Sequence, residues 1–267
     1  MTVSFTTWHN WKAVQIVSGD CAMIISTSVG PRVVSLTYCN GANLLYEDLT
    51  HFKVGDWHLY GGHRFTIAPE SDASYYPDNA ACKVIITDAK VVIAAPLRPD
   101  NIRLSVEVSA AINGNGFNLV HVLHNDGPAN WSGALWAITC IPRSAKVIVS
   151  CTTPVIHYWP GTDPENWLQW DRGIIIKSGN HRGKAGWHQT QGWLAAYQPH
   201  GRIVIHNLEA TVPAECADGG CNLEVFVCND WIELETLGRI VNVATGQTAQ
   251  HTEYWKIAGD GNFPELI

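Results

Sequence analysis

The stretch Trp231-Ile232-Glu233-Leu234-Glu235-Thr236-Leu237-Gly238-Arg239 carries the residue types best suited to proton transfer. Read with a period of two, it is a strand that puts Trp231, Glu233 and Glu235 on one face, with Ile232 and Leu234 on the other. Two carboxylates on one side of a strand lie roughly 7 Å apart, at about 3.3 Å of rise per residue. At that range, partly shielded by an indole, they repel, and one pKa rises towards neutrality. A carboxyl that titrates near pH 7 is what general acid–base chemistry uses. The same alternation fits a half-buried strand with a solvated face, so spacing leaves both readings open.

A second group of candidates lies between Tyr46 and Ala81, where Trp57, His58, His63, Arg64, Glu70 and Tyr76 fall within a short span. These are the platforms, donors and acceptors that a sugar site needs. The pair Gly61-Gly62 lets backbone approach a ligand closely, and His63 and Arg64 suit either ligand binding or loop anchoring. A third group, His157-Tyr158-Trp159-Pro160-Gly161, has the chemistry of a lid and sits in a segment from Thr152 to Trp170. Both segments read as long loops without regular structure, which in ordered proteins are usually functional. Lys177 stands at a strand end, fit to meet a carboxylate or phosphate or simply to be solvated.

Other constellations are weaker. His58 and His63 have a spacing that, with Glu70 or Asp56, would serve a metal, but 12 histidines produce such spacings by chance, and no metal is expected. His121 and His124 differ by three along a strand and face opposite sides; each fits a satisfied core or edge histidine. Gly114-Asn115-Gly116 signals a hairpin, not a phosphate cradle, because no helix follows, and no cofactor is expected. No Gly-x-Ser-x-Gly elbow exists.

The elements that must position these groups are strands. Runs such as Ala13–Val17, Arg32–Tyr38, Ile102–Ile112, Phe117–His124, Ala134–Cys140, Asn222–Val227 and Trp231–Leu237 are β-rich and divided by Gly, Pro, Asn and Asp. No convincing 3.6-residue apolar stripe appears. With 46% hydrophobic and 15% charged residues a large core is available, and with no linker or repeat the 267 residues read as one all-β domain, a sandwich or barrel. The formal net charge of −7 argues against nucleic acid or an anionic membrane as partner. The first residues show no secretory signal, no run approaches the ~20 apolar residues of a membrane span, and the eight cysteines contain no Cys-x-x-Cys. They read as reduced, mostly buried thiols of a cytoplasmic protein.

The ordered set Gly30-Pro31-Arg32-Val33-Val34-Ser35-Leu36, Asn43-Leu44-Leu45, Gly61-Gly62-His63-Arg64, Ala68-Pro69-Glu70 and Leu234-Glu235-Thr236 resembles the galactose mutarotase-like superfamily. The tail, Gly246-Gln247-Thr248 and Thr252-Glu253-Tyr254-Trp255-Lys256-Ile257, is similar to its closing strand. More narrowly, Trp57-His58-Leu59-Tyr60-Gly61-Gly62-His63-Arg64 and Glu233-Leu234-Glu235-Thr236-Leu237-Gly238 resemble a DUF4380-like bacterial branch. The resemblance implies a large two-sheet antiparallel supersandwich with a sugar cleft on a concave sheet face. It makes Glu235 the base that takes the anomeric proton and a histidine the acid that protonates the ring oxygen. The epimerase motif that carries this histidine is absent, and the corresponding Leu135-Trp136-Ala137-Ile138-Thr139 has none; His63, His58 or His124 is left to serve, His63 foremost. The expected function is that of a sugar mutarotase or epimerase acting on an aldose or uronic acid, or else of a carbohydrate-binding protein that has lost the acid. The expected partner is a small carbohydrate alone, in a monomer or homodimer.

Overall fold

The computed structural model describes residues 1–112, 114–152, 157–170 and 173–259, so residues 153–156 of the lid-like segment lie outside it. The described residues form two large antiparallel sheets, of eleven and ten strands, and a two-stranded flap, Lys53–Val54 with Trp57–His58. Beyond strands there are three short 3₁₀ turns; no helix among the described residues is long and apolar enough to cross a membrane.

The first sheet runs in the order Thr2–Trp8, Trp11–Ser18, Cys21–Ser26, Arg32–Tyr38, His63–Ala68, Trp131–Pro142, Trp231–Leu237, Leu223–Val227, Gly183–Trp187 and His157–Tyr158, with Val241–Val243 paired to Trp131–Pro142. At the centre of the second sheet, Gly201–Asn207, Thr248–Ala258, Gly116–Asn125 and Ile102–Ala110 pair in succession. Between the sheets lies the main core. Val33, Ile232 and Leu234 of the first sheet meet Phe117, Leu119, Ile203, Ile205 and Trp255 of the second. This is the two-sheet antiparallel supersandwich that the resemblance implies, built from strands whose apolar residues alternate inwards.

Two stretches differ from their sequence reading. His63–Ala68 is not loop but a central strand, with all six residues buried. Burial on both faces removes the polar–apolar alternation by which a strand is recognised. Gly183–Trp187 is a strand as well, though its sequence Gly-Lys-Ala-Gly-Trp has no β-branched residue. Of the lid-like segment, His157–Tyr158 pairs at a sheet end and Trp167–Trp170 joins the second sheet, so neither long segment is without regular structure.

Candidate active site

Strand parity builds the site. On Trp231–Leu237, Ile232 and Leu234 point into the inter-sheet core, which leaves Trp231, Glu233 and Glu235 on the outer face of the first sheet. Register then sets their neighbours. Ile138 lies beside both Arg64 and Glu235, Glu235 is opposite Glu224, and Glu224 is opposite Gly186. One residue-pair further along, Glu233 is flanked by Cys140 and Phe226, and Phe226 by Lys184. Over these rows opens a cavity of about 690 Å³, lined by Arg64, Lys184, Glu233 and Glu235 and walled by Trp57, Trp136, Trp159 and Trp231.

Like charges directly opposite on neighbouring strands destabilise a sheet unless something lies between them. Lys184 does so: its Nζ sits 2.7 Å from Glu224 Oε2 and 2.8 Å from Glu235 Oε2. The approach to Glu224 is short but poorly aligned and counts as an ion pair; the one to Glu235 is also a hydrogen bond. Burial works to lower the Lys184 pKa, but the charges of Glu235 and Glu224 outweigh it and hold the ammonium well above its usual range. The ammonium also lies against the faces of Trp136, 4.5 Å from the ring centre, and Trp159, at 4.9 Å. Glu224 is fully buried, which raises its carboxyl strongly despite Lys184.

Glu235 Oε2 also accepts a hydrogen bond from Trp136 Nε1 at 2.8 Å, while Oε1 has no partner. Glu233 differs. Trp231 Nε1 donates to its Oε1 at 2.9 Å, and burial first, then the charge of Glu235, pushes its carboxyl up to about 7. The upward direction is the one expected for paired carboxylates on one strand face. Glu233 is only partly buried. The two carboxyls thus face one cavity with different hydrogen-bond partners.

Of the residues singled out in the sequence, Trp57, Arg64, Glu70, Trp159, Glu233 and Glu235 line this cavity. Arg64 also packs its guanidinium on Trp57 and Tyr75 and donates to Ser74 O at 3.3 Å, so it anchors the loop as well as facing the cavity. Glu70 is held by the Tyr75 hydroxyl.

His63, His58, Tyr76, Lys177 and His124 do not line it. His63 precedes Arg64 on one strand, so their side chains leave opposite faces, and a single cleft cannot hold both. Its ring lies between the sheets, with Nδ1 2.9 Å from Thr139 Oγ1 and Nε2 2.8 Å from His121 Nε2. Burial pushes it down to about 3, which keeps the imidazole neutral. His58 stacks on Tyr60 in the flap. Tyr76 lines a smaller cavity of about 150 Å³ and is covered by Arg98. Lys177 and His124 belong to the second sheet and its connections. With His63 turned inwards, the His58–His63 spacing assembles no ligand set with Glu70 or Asp56.

Sequence reading missed Lys184, Glu224 and Trp136. Glu224 left a signal, a lone charge inside the apolar run Leu223–Val227. Trp136 lies where the resemblance aligned the missing histidine, and it supplies an N–H to Glu235. Lys184 left none, because its strand was not legible. Gly186 opens the space for Trp159: a Cβ there would lie 2.4 Å from Cys221 Sγ and 3.1 Å from the Trp159 ring.

Two large antiparallel sheets with a polar cleft on the outer face of one define a galactose mutarotase-like fold. Similar solved structures include a galactose mutarotase-like protein from Lactobacillus casei ATCC 334 (TM-score 0.62, 10% identity, 92% of this chain and 100% of that one). They also include a galactose mutarotase related enzyme from Lactobacillus acidophilus (0.66, 8%, 96% and 99%). A third is a galactose mutarotase-like protein from Clostridium acetobutylicum (0.59, 11%, 97% and 98%). At such identities the likeness is one of fold. No family model and no curated protein matches the chain, and the DUF4380-like branch stays an expectation.

Proposed function

We propose that the protein is a sugar mutarotase or epimerase that works with two carboxyl groups instead of a carboxylate and a histidine. One observation carries this reading: Glu233 and Glu235 line one cavity from one strand, the first holding a proton near neutrality and the second with a buried Oε1 that has no hydrogen-bond partner. Glu235 Oε1 takes the anomeric hydroxyl proton of an aldose or uronic acid. The C1–O1 bond gains double-bond character, the bond from C1 to the ring oxygen breaks, and Glu233 protonates that oxygen. Rotation about the C1–C2 bond offers the other face of the aldehyde, and the reverse proton transfers close the ring. Acid and base swap protonation states at each half-turn and are restored by ring closure. The indoles of Trp57, Trp159 and Trp231 are suited to the apolar faces of a pyranose. Eight free cysteines support a reducing, cytoplasmic setting.

A second reading, a carbohydrate-binding protein without turnover, is favoured by one fact: no histidine is among the described residues that line the cavity. Polarimetry on freshly dissolved glucose, galactose and their uronic acids decides between them. Mutarotation above the spontaneous rate supports the enzyme; binding by calorimetry without rate enhancement supports the binding protein.

A further inference from the structure

Beneath the cleft, on the inner face of the same sheet, lies a polar cluster that the proposed chemistry does not use. His63 comes from the first sheet, and His121 and Glu253 come from adjacent strands of the second. All three side chains are buried, at 2%, 0% and 1% exposure. We propose that His63, His121 and Glu253 form a structural site for one divalent transition-metal ion of the zinc type, which ties the two sheets together.

The geometry fits the ion. One ligand atom from each residue lies within 4.8 Å of the others. His63 Nε2 and His121 Nε2 are 2.8 Å apart, and His121 Nε2 is 3.9 Å from Glu253 Oε2. Around a tetrahedral zinc, with bonds of about 2.0–2.2 Å, ligand atoms stand roughly 3.3–3.5 Å apart. The two observed distances bracket that value, and the third, from His63 to Glu253, is within 4.8 Å, so the carboxylate and the rings draw together by about an ångström to complete the site. A pair of imidazoles with one carboxylate suits zinc-like ions better than magnesium or calcium, which take oxygen donors.

The surrounding shell is that of a ligand set. His121 Nδ1 faces His251 O at 3.2 Å, and a carbonyl only accepts, so Nδ1 carries the hydrogen and the Nε2 lone pair points at the cluster. His63 Nδ1 is backed by Thr139 Oγ1. Glu253 receives Thr236 Oγ1 on one oxygen, at 2.6 Å, and Trp255 Nε1 on the other, at 2.9 Å. Backing of each imidazole's remote nitrogen is what orients metal ligands, and Glu253 is held in place through both of its oxygens. None of the three lines either cavity described above, so the role is structural.

The alternative is a direct hydrogen bond from His63 Nε2–H to the His121 lone pair with no ion, and the two are separable. The full chain is unfolded in guanidinium, refolded with zinc or cobalt, desalted and measured for metal content. About one ion per chain is expected, with the visible absorption of tetrahedral cobalt and a melting temperature above that of protein refolded with chelator. His121→Gln and Glu253→Gln should each fold, by far-UV dichroism, and retain less than about a tenth of an ion. Wild-type protein that retains no ion, or variants that retain as much as wild type, overturns the proposal. Should the variants fail to fold, anomalous diffraction at the zinc edge decides on the wild type: a peak between His63 and His121 supports the site, and a peak elsewhere or none refutes it.

Discussion

Glu224 and Glu235 stand directly opposite one another on adjacent strands, and Lys184 closes over both from the next strand. Removing the lysine leaves two facing carboxyls with no counter-charge. Lys184→Met should therefore destabilise the fold by about 3–5 kcal/mol, the usual result of stranding one side of a buried ion pair. Denaturant melts of Lys184→Met, Glu224→Gln and the double variant test this. The double variant should recover much of the loss, and simple additivity would show that Lys184 and Glu224 are not coupled.

Glu235→Gln should abolish mutarotation while leaving the fold and weak sugar binding intact. The carboxamide keeps the shape but cannot take the anomeric proton, and general-base contributions are worth about 10²–10⁴-fold in rate. Polarimetry of the variant beside wild type, with calorimetry for binding, reads both halves of the expectation.

The rate should also fall as pH rises through about 7, because Glu233 must hold a proton to donate it. The same shift has a stability side. A carboxyl raised above its unfolded value of 4.5 binds its proton more tightly when folded, so its stabilising contribution is full below about 4.5 and is lost as pH approaches 7. Glu233→Gln should flatten the high-pH limb of the rate profile at a much reduced rate. Relative to wild type it should gain roughly 1–2 kcal/mol of stability at pH 8 over pH 5, after allowing for solvent in the cavity. An unchanged pH profile in this variant would remove Glu233 from the mechanism.

Gly186→Ala should displace Trp159, whose ring lies 3.1 Å from the new Cβ, and strain Cys221, whose Sγ lies at 2.4 Å. Overpacking of this kind costs about 1–3 kcal/mol. Sugar affinity measured by calorimetry should fall with the loss of one aromatic wall. Retention of full affinity would mean that Trp159 does not touch the ligand.

His63→Asn should lower the melting temperature while leaving the dependence of rate on pH unchanged, because the ring lies between the sheets and away from the cavity. A rate loss that tracks a titration would return His63 to the acid's role expected from sequence.

The acidic pair is legible in the sequence because Trp231–Leu237 alternates polar and apolar residues between a cleft side and a core side, so parity can be read directly. The aromatic and arginine wall is legible from composition, and the overall architecture from strand density. His63 is misplaced for a physical reason. Its strand is buried on both faces, reads as loop, and so escapes the alternation that separates it from Arg64. Lys184 is hidden because two glycines and an alanine surround it, and nothing local marks a strand that only its neighbours in the sheet impose.

Glu224, Glu233, Glu235, Arg64 and Lys184 all sit on paired strands of the first sheet, whereas Trp57 comes from the separate two-stranded flap and Trp159 from the lid-like segment. Spacing between the charged groups is thus inherited from the ladder of backbone hydrogen bonds and tolerates no insertion, since one added residue would turn a carboxyl from cleft to core. The two indoles lie outside the strands of that sheet. Exchanging the segments that carry them is a route to retargeting the cleft towards other ligands while its proton-transfer geometry stays untouched.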